Sequence, residues 1–114
     1  MTDASVHSSE SLVVTAIFRP REGKREQVLA AMERVIPRVH AEEGCNLYAI
    51  QEAEDGTIAM IEHWDSAELL DAHGAGEPVA DFNAELEGLL ASPVEVVRWT
   101  PIPMGDARKG VVLP

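Results

Sequence analysis

Residues 11–19, SLVVTAIFR, form a β-branched and aromatic run that Pro20 stops, and the run is largely apolar on both of its faces. Alternation places Val13, Thr15 and Ile17 on one face and Val14, Ala16 and Phe18 on the other. A strand of this kind belongs to a sheet that is covered on both sides. Whatever the chain folds into must therefore supply two covers for one sheet.

The first cover is legible farther along. Residues 23–43 switch to a helical period, with Val28, Ala31, Met32, Val35 and Val39 in a stripe and Lys24, Arg25, Glu26, Glu33, Arg34 and Glu42 mostly off it. Pro37 is expected to kink this helix, because it removes a backbone donor and crowds the carbonyl four residues back. Gly44 is placed to end it. Two strands follow over residues 45–52 and 57–64, joined through Ala53-Glu54-Asp55-Gly56, whose Asp-Gly is a strong hairpin signal. In the second of these, Ile58, Met60, Glu62 and Trp64 share one face and Ala59, Ile61 and His63 the other.

Asp65 followed by Glu68 resembles a capping box with the aspartate as cap, opening a short helix over residues 66–73. A Gly-Ala-Gly-Glu-Pro stretch breaks that helix, and Pro78 suits the first turn of another over residues 77–91. Val79, Phe82, Leu86, Leu89 and Leu90 form its apolar stripe. A last strand over residues 94–100 runs into a Pro-rich tail. The order β-α-β-β-α-β is an α+β, ferredoxin-like split β-α-β arrangement: a four-stranded antiparallel sheet with its helices on one face. The domain is expected to span residues 11–102, with a flexible lead-in over 1–10 and a C-terminal tail over 103–114. Val13, Ile17, Ile61 and Val96 are expected on the face the helices leave bare. An uncovered apolar sheet face marks an interface, and the simplest cover is a second copy, so a homodimer with sheets packed face to face is expected.

Charge and cysteine content narrow the function classes. The 114 residues carry 9 Lys and Arg against 20 Asp and Glu, a net charge of −11, which disfavours nucleic acid and anionic membranes as partners. No run approaches 18 consecutive apolar residues, so no bilayer span is expected. The start, MTDASVHSSE, lacks the basic and apolar regions of a signal peptide. Cys45 is the one cysteine, which rules out an internal disulfide or a Cys-based zinc site and suits a reducing, cytoplasmic setting.

The stretch from Phe18-Arg-Pro-Arg-Glu-Gly-Lys, through Ala41-Glu-Glu-Gly-Cys and the strand of Tyr48, to Ile61-Glu-His-Trp-Asp-Ser and Leu70-Asp-Ala-His73 resembles the antibiotic biosynthesis monooxygenase family. Asp81-Phe-Asn-Ala-Glu-Leu and Leu89-Leu-Ala-Ser-Pro continue the match, which covers about residues 12–102. The resemblance implies a dimeric α/β barrel with a pocket in each subunit between helices and sheet. It also implies activities that include cofactor-independent oxygenation of anthrones and quinols, isomerisation of a phosphorylated sugar, and heme degradation. Heme-degrading members use an Asn, a Trp and a His at positions that hold Ala16, His73 and Asn83 here, so that branch does not fit. Many members also carry Ser-Pro-His-Phe after the short helix, where this chain has Gly76-Glu77-Pro78-Val79. That second histidine is absent here.

His73 is the first candidate for catalysis. It lies four residues after Leu69, on the inward face of the short helix, and a partly buried imidazole can take a proton from an acidic phenol or from a carbon beside a carbonyl. The bland alternative is a histidine bonded to a backbone carbonyl or capping a helix end. Asn83, in the apolar row Val79, Asn83, Leu86, Leu90, is expected to be buried and to bond something, either a substrate oxygen or another protein group. Trp64 is read as a flat wall for an aromatic ligand and an indole donor, with core packing as the alternative. Glu62 on the same face is a pocket carboxylate, a partner of His73, or a partner of an arginine such as Arg98. Tyr48 is a hydrogen-bond donor from the pocket wall, and Phe18, Met60 and Phe82 are apolar lining. His63, on the opposite strand face, is expected at the dimer interface.

No metal motif and no flavin, nicotinamide or phosphate-loop signature occurs, so neither a metal nor a cofactor is expected. The leading reading is a cofactor-independent monooxygenase that oxidises a quinol, an anthrone or a similar aromatic substrate with dioxygen. A non-catalytic small-molecule-binding or stress-response protein and an isomerase of a small phosphorylated sugar are the alternatives.

Overall fold

In the computed structural model, which describes residues 10–113, the first β-branched run folds as strand β1, Leu12–Phe18. Helix α1 spans Arg25–His40, strand β2 Cys45–Glu52, strand β3 Ile58–Trp64, helix α2 Ala67–Gly74, helix α3 Glu77–Leu86 and strand β4 Glu95–Trp99. The lead-in expected over residues 1–10 falls, apart from Glu10, outside the described residues. The sheet order is β2-β3-β1-β4, antiparallel throughout. The two central strands are the ones whose sequences are apolar on both faces.

The stripe on α1 behaves as its period requires: Val28, Ala31, Met32, Val35 and Val39 are all buried. They pack on Val14, Ala16 and Phe18 of β1, on Tyr48 of β2 and on Ile58, Met60 and Trp64 of β3 in a single apolar cluster. Pro37 lies in the last turn of α1, so its missing donor does not stop the helix from reaching His40. At the β2–β3 hairpin Gly56 takes φ +89°, and the Asp55 carboxylate accepts from the Thr57 amide at 2.9 Å.

Three local expectations are corrected. Ser66, not Asp65, caps α2: Ser66 has an extended backbone and its hydroxyl accepts from the Leu69 amide, whereas the Asp65 carboxylate accepts from Asn46 Nδ2 at 2.7 Å. Helix α3 stops at Leu86 rather than 91. Past Gly88, at φ +79°, the chain instead pairs with the segment after β1, through Arg21 N to Leu89 O at 2.8 Å and Ala91 N to Arg19 O at 2.7 Å. Backbone pairing has overridden the apolar stripe there. Finally, Val96 pairs with Ala16 and lies on the helix face of the sheet; Val97 and Trp99 occupy the opposite face, beside Thr15 and Val13. With adjacent valines, the sequence could not set the phase of this strand.

That opposite face also carries Ile17, Ile61, His63, Leu47 and Ala49. Val97 and Trp99 are 42% and 51% exposed on it, and the Trp99 indole donates to Thr15 Oγ1 at 2.8 Å.

Candidate functional site

A cavity of about 250 Å³ lies between the helix face of the sheet and helices α2 and α3. Val14, Ala16 and Phe18 of β1, Leu70 of α2 and Val79 and Phe82 of α3 give it a mostly apolar wall. Five polar side chains face it: Tyr48, Glu62, His73, Asn83 and Arg98. A broader surface depression of about 440 Å³ beside Leu86 and Pro93 has Arg21 and Glu87 as its charged groups and no buried polar side chain.

His73 sits in the last turn of α2 and is 8% exposed. Its Nδ1 lies 2.8 Å from Oε1 of Glu42, which comes from the loop between α1 and β2. Paired with a carboxylate oxygen as acceptor, Nδ1 is the nitrogen that donates. Nε2 is then the ring nitrogen with no protein partner among the described residues. Trp64 packs on the imidazole at a centroid distance of 4.5 Å and an angle of 35°, and Tyr48 meets it nearly edge-on at 5.6 Å. Two aromatic rings and one carboxylate thus fix the orientation of a single imidazole.

Glu62, 6% exposed, accepts a hydrogen bond from the Trp64 indole at 2.9 Å. Burial pushes its pKa up, against the opposing influence of that bond and of the nearby imidazole. Burial likewise pushes the Tyr48 phenol above its ordinary range, with Glu62 and Glu42 adding to the effect, so Tyr48 offers a neutral O–H to the cavity. Arg98, near the mouth on β4, donates to Asp71 of α2 at 2.6 Å rather than to Glu62. Glu62 is therefore a cavity carboxylate held by Trp64. It is neither the partner of Arg98 nor the hydrogen-bond partner of His73.

The structure brings Phe18, Tyr48, Glu62, His73, Phe82 and Asn83 together around one cavity. Trp64 and Met60 lie beneath it, fully buried. The wall role read for Trp64 is corrected: fully buried, it backs His73 and donates to Glu62. Asn83 is also corrected. It is exposed at the cavity rim and makes no hydrogen bond among the described residues. The amide needs no protein partner because solvent reaches it. His63 lies on the opposite face, where Asn46 Nδ2 approaches its Nδ1 at 3.1 Å.

Glu42 was missed by the sequence reading. It is one of 20 acidic residues and stands 31 positions from His73, so no local pattern distinguishes it. Among the described residues, no three His, Cys, Asp or Glu side chains gather as a metal site, and no helix is long and apolar enough to cross a membrane.

The fold and the cavity define a ferredoxin-like α+β protein with a buried imidazole poised over a small apolar chamber. The sequence profile described as antibiotic biosynthesis monooxygenase matches residues 11–85, and the chain belongs to that family. A relative named "Putative monooxygenase Rv0793", from Mycobacterium tuberculosis, is 30% identical over 97 residues, covering 84% of this chain and 96% of its own length. The Escherichia coli protein "Probable quinol monooxygenase YgiN" is 36% identical over 74 residues, 54% of this chain and 71% of that one. The solved structure of Rv0793 matches with a TM-score of 0.79 at 28% identity, over 85% of this chain and all of its own. A structure from Methanosarcina mazei, 19% identical, matches at 0.76 over 84% of this chain and 97% of its own, a likeness of fold.

Proposed function

We propose that the protein is a cofactor-independent monooxygenase acting on a small quinol, anthrone or related acidic aromatic, with dioxygen as co-substrate. The observation that carries this reading is the His73 imidazole, enclosed on an apolar cavity wall and left with one nitrogen free. In such a site His73 removes a proton from the substrate O–H or from a carbon beside a carbonyl. The resulting anion passes an electron to dioxygen, and recombination of the radical pair followed by protonation gives a carbon-bound hydroperoxide. Breaking its O–O bond with loss of the geminal C–H proton leaves a carbonyl and water. One oxygen atom enters the substrate, and all four electrons come from it.

The remaining groups fit this chemistry. The Tyr48 hydroxyl and the Glu62 carboxyl can bond substrate oxygens, while Asn83 and Arg98 stand at the rim. A chamber near 250 Å³ is below the usual range of roughly 300–1,000 Å³ for drug-sized ligands, which favours one to three fused rings over larger polycycles. The phosphorylated-sugar reading has less in its favour, since among the described residues Arg98 is the one Arg or Lys on the cavity wall and already pairs with Asp71.

A homodimer through the bare sheet face and a cytoplasmic setting complete the reading; the free thiol of Cys45 suits a reducing compartment. Oxygen uptake by chelator-treated protein against hydroquinones, naphthols and anthrones, with His73→Ala alongside, tests the activity. Uptake that persists in chelator and collapses in the variant supports it. Saturable binding of these compounds with no oxygen consumed replaces it with a non-catalytic binding role.

A further inference from the structure

Glu42 reaches His73 from a loop, and the loop is pinned. The Glu42 amide donates to the Val39 carbonyl at 2.9 Å, and the Cys45 amide donates back to the Glu42 carbonyl at 3.3 Å. Two residues on, the Gly44 carbonyl accepts from the Asp65 amide at 2.9 Å. Gly44 has φ +86°, and a methyl group there would stand 2.5 Å from Leu69 Cδ1. Leu69 is one turn before His73 on α2. The loop backbone and the histidine's own helix therefore pack without room for a side chain between them, and this close approach delivers the carboxylate to Nδ1.

The other Glu42 oxygen supplies a second, independent observation. Oε2 is buried and has no hydrogen-bond partner, in a side chain only 20% exposed. An enclosed, unpaired carboxylate oxygen is unfavourable in the resting protein, and the penalty falls when positive charge develops beside it. A neighbour that can acquire such charge is at hand: the imidazole already bonded to Oε1.

We infer that Glu42 is the positioning residue of this site: it holds His73 as the Nδ1–H tautomer, leaves the Nε2 lone pair for the substrate proton, and stabilises the imidazolium that forms. The proton goes from substrate to Nε2, and Glu42 remains a carboxylate throughout. This inference rests on the base role proposed for His73, but its first readout needs no substrate.

The imidazole nitrogens of His73 are followed by ¹⁵N NMR in the full chain, assigned by their absence in His73→Ala, at a pH where the ring is neutral. The wild type is expected to carry its proton on Nδ1. Glu42→Gln keeps an acceptor without the charge, so the tautomer persists while kcat for oxygen uptake drops on the order of tenfold or more with KM little changed. Glu42→Ala removes both, and the ring becomes a mixture of tautomers with a larger loss of kcat. A wild-type ring protonated on Nε2, or on both nitrogens throughout the accessible range, overturns the inference. So does an unchanged tautomer in Glu42→Ala. Uptake indifferent to both Glu42 variants overturns it while leaving the oxygenase reading intact. A Glu42-dependent tautomer in a protein that consumes no oxygen supports the positioning role and removes the oxygenase reading instead.

Discussion

At the scale of single residues, Tyr48, Glu62 and His73 stand together as buried titratable groups on one cavity wall. His73→Ala is expected to lower kcat for oxygen uptake by about 10²–10⁴-fold, the usual worth of a positioned general base, with the far-ultraviolet circular dichroism unchanged. An equal rate in the variant would assign the proton transfer elsewhere. Glu62 gives a prediction with a sign. Burial raises its folded pKa above the unfolded value of 4.5, so the folded state binds this proton more tightly than the unfolded chain does. Its contribution to stability is therefore fully present below pH 4.5 and is lost as pH rises through the raised folded value. Glu62→Gln cannot ionise and still accepts from the Trp64 indole. Its melting temperature should exceed that of the wild type at pH 8, and the two should converge in acid. A wild type that melts higher at pH 8 would contradict the dominance of burial over the indole hydrogen bond.

Elements place these residues, and their ends carry most of the burden. Gly44 and Gly23 both have positive φ, +86° and +80°, but a methyl group at Gly23 meets nothing within 4 Å whereas one at Gly44 overlaps Leu69. Gly23→Ala should thus cost only the backbone penalty, about 1–2 kcal/mol. Gly44→Ala should cost clearly more and shift α2 away from the Glu42 loop. Urea midpoints for the pair check this, and equal losses would mean that the loop and α2 yield freely. At the other end of the same contact, Ser66→Ala removes the α2 cap and is expected to cost about 1 kcal/mol.

For the whole molecule the deciding feature is the sheet face without a helix. Val97 and Trp99 stand exposed beside Thr15 and Val13, an arrangement that a second copy would cover. Light scattering is expected to give about twice the 12.4 kDa of one chain, and Ile61→Asp, at the centre of the face, should return it to one. Each copy carries a net charge of −11, so association should strengthen with salt. A monomer at every salt concentration would leave the apolar face without this explanation.

Much of the fold was legible because side-chain direction within one element is a local property. The α1 stripe, the two faces of β1 and β3 and the Asp55-Gly56 hairpin follow from period and turn chemistry alone. With the spacing of His73 from Leu69 on its own helix, these place His73, Tyr48 and Glu62 on a common interior. The rest depended on which neighbour arrives across the chain. Pairing with Arg19–Arg21 ended α3 at Leu86, and pairing with Ala16 turned Val96 inward. Packing sank Trp64 beneath the cavity and left Asn83 at its rim. Local period also could not show that Glu42 would meet His73. Nothing along either element records the other's approach; a glycine contact between loop and helix brings the carboxylate within 2.8 Å of the ring.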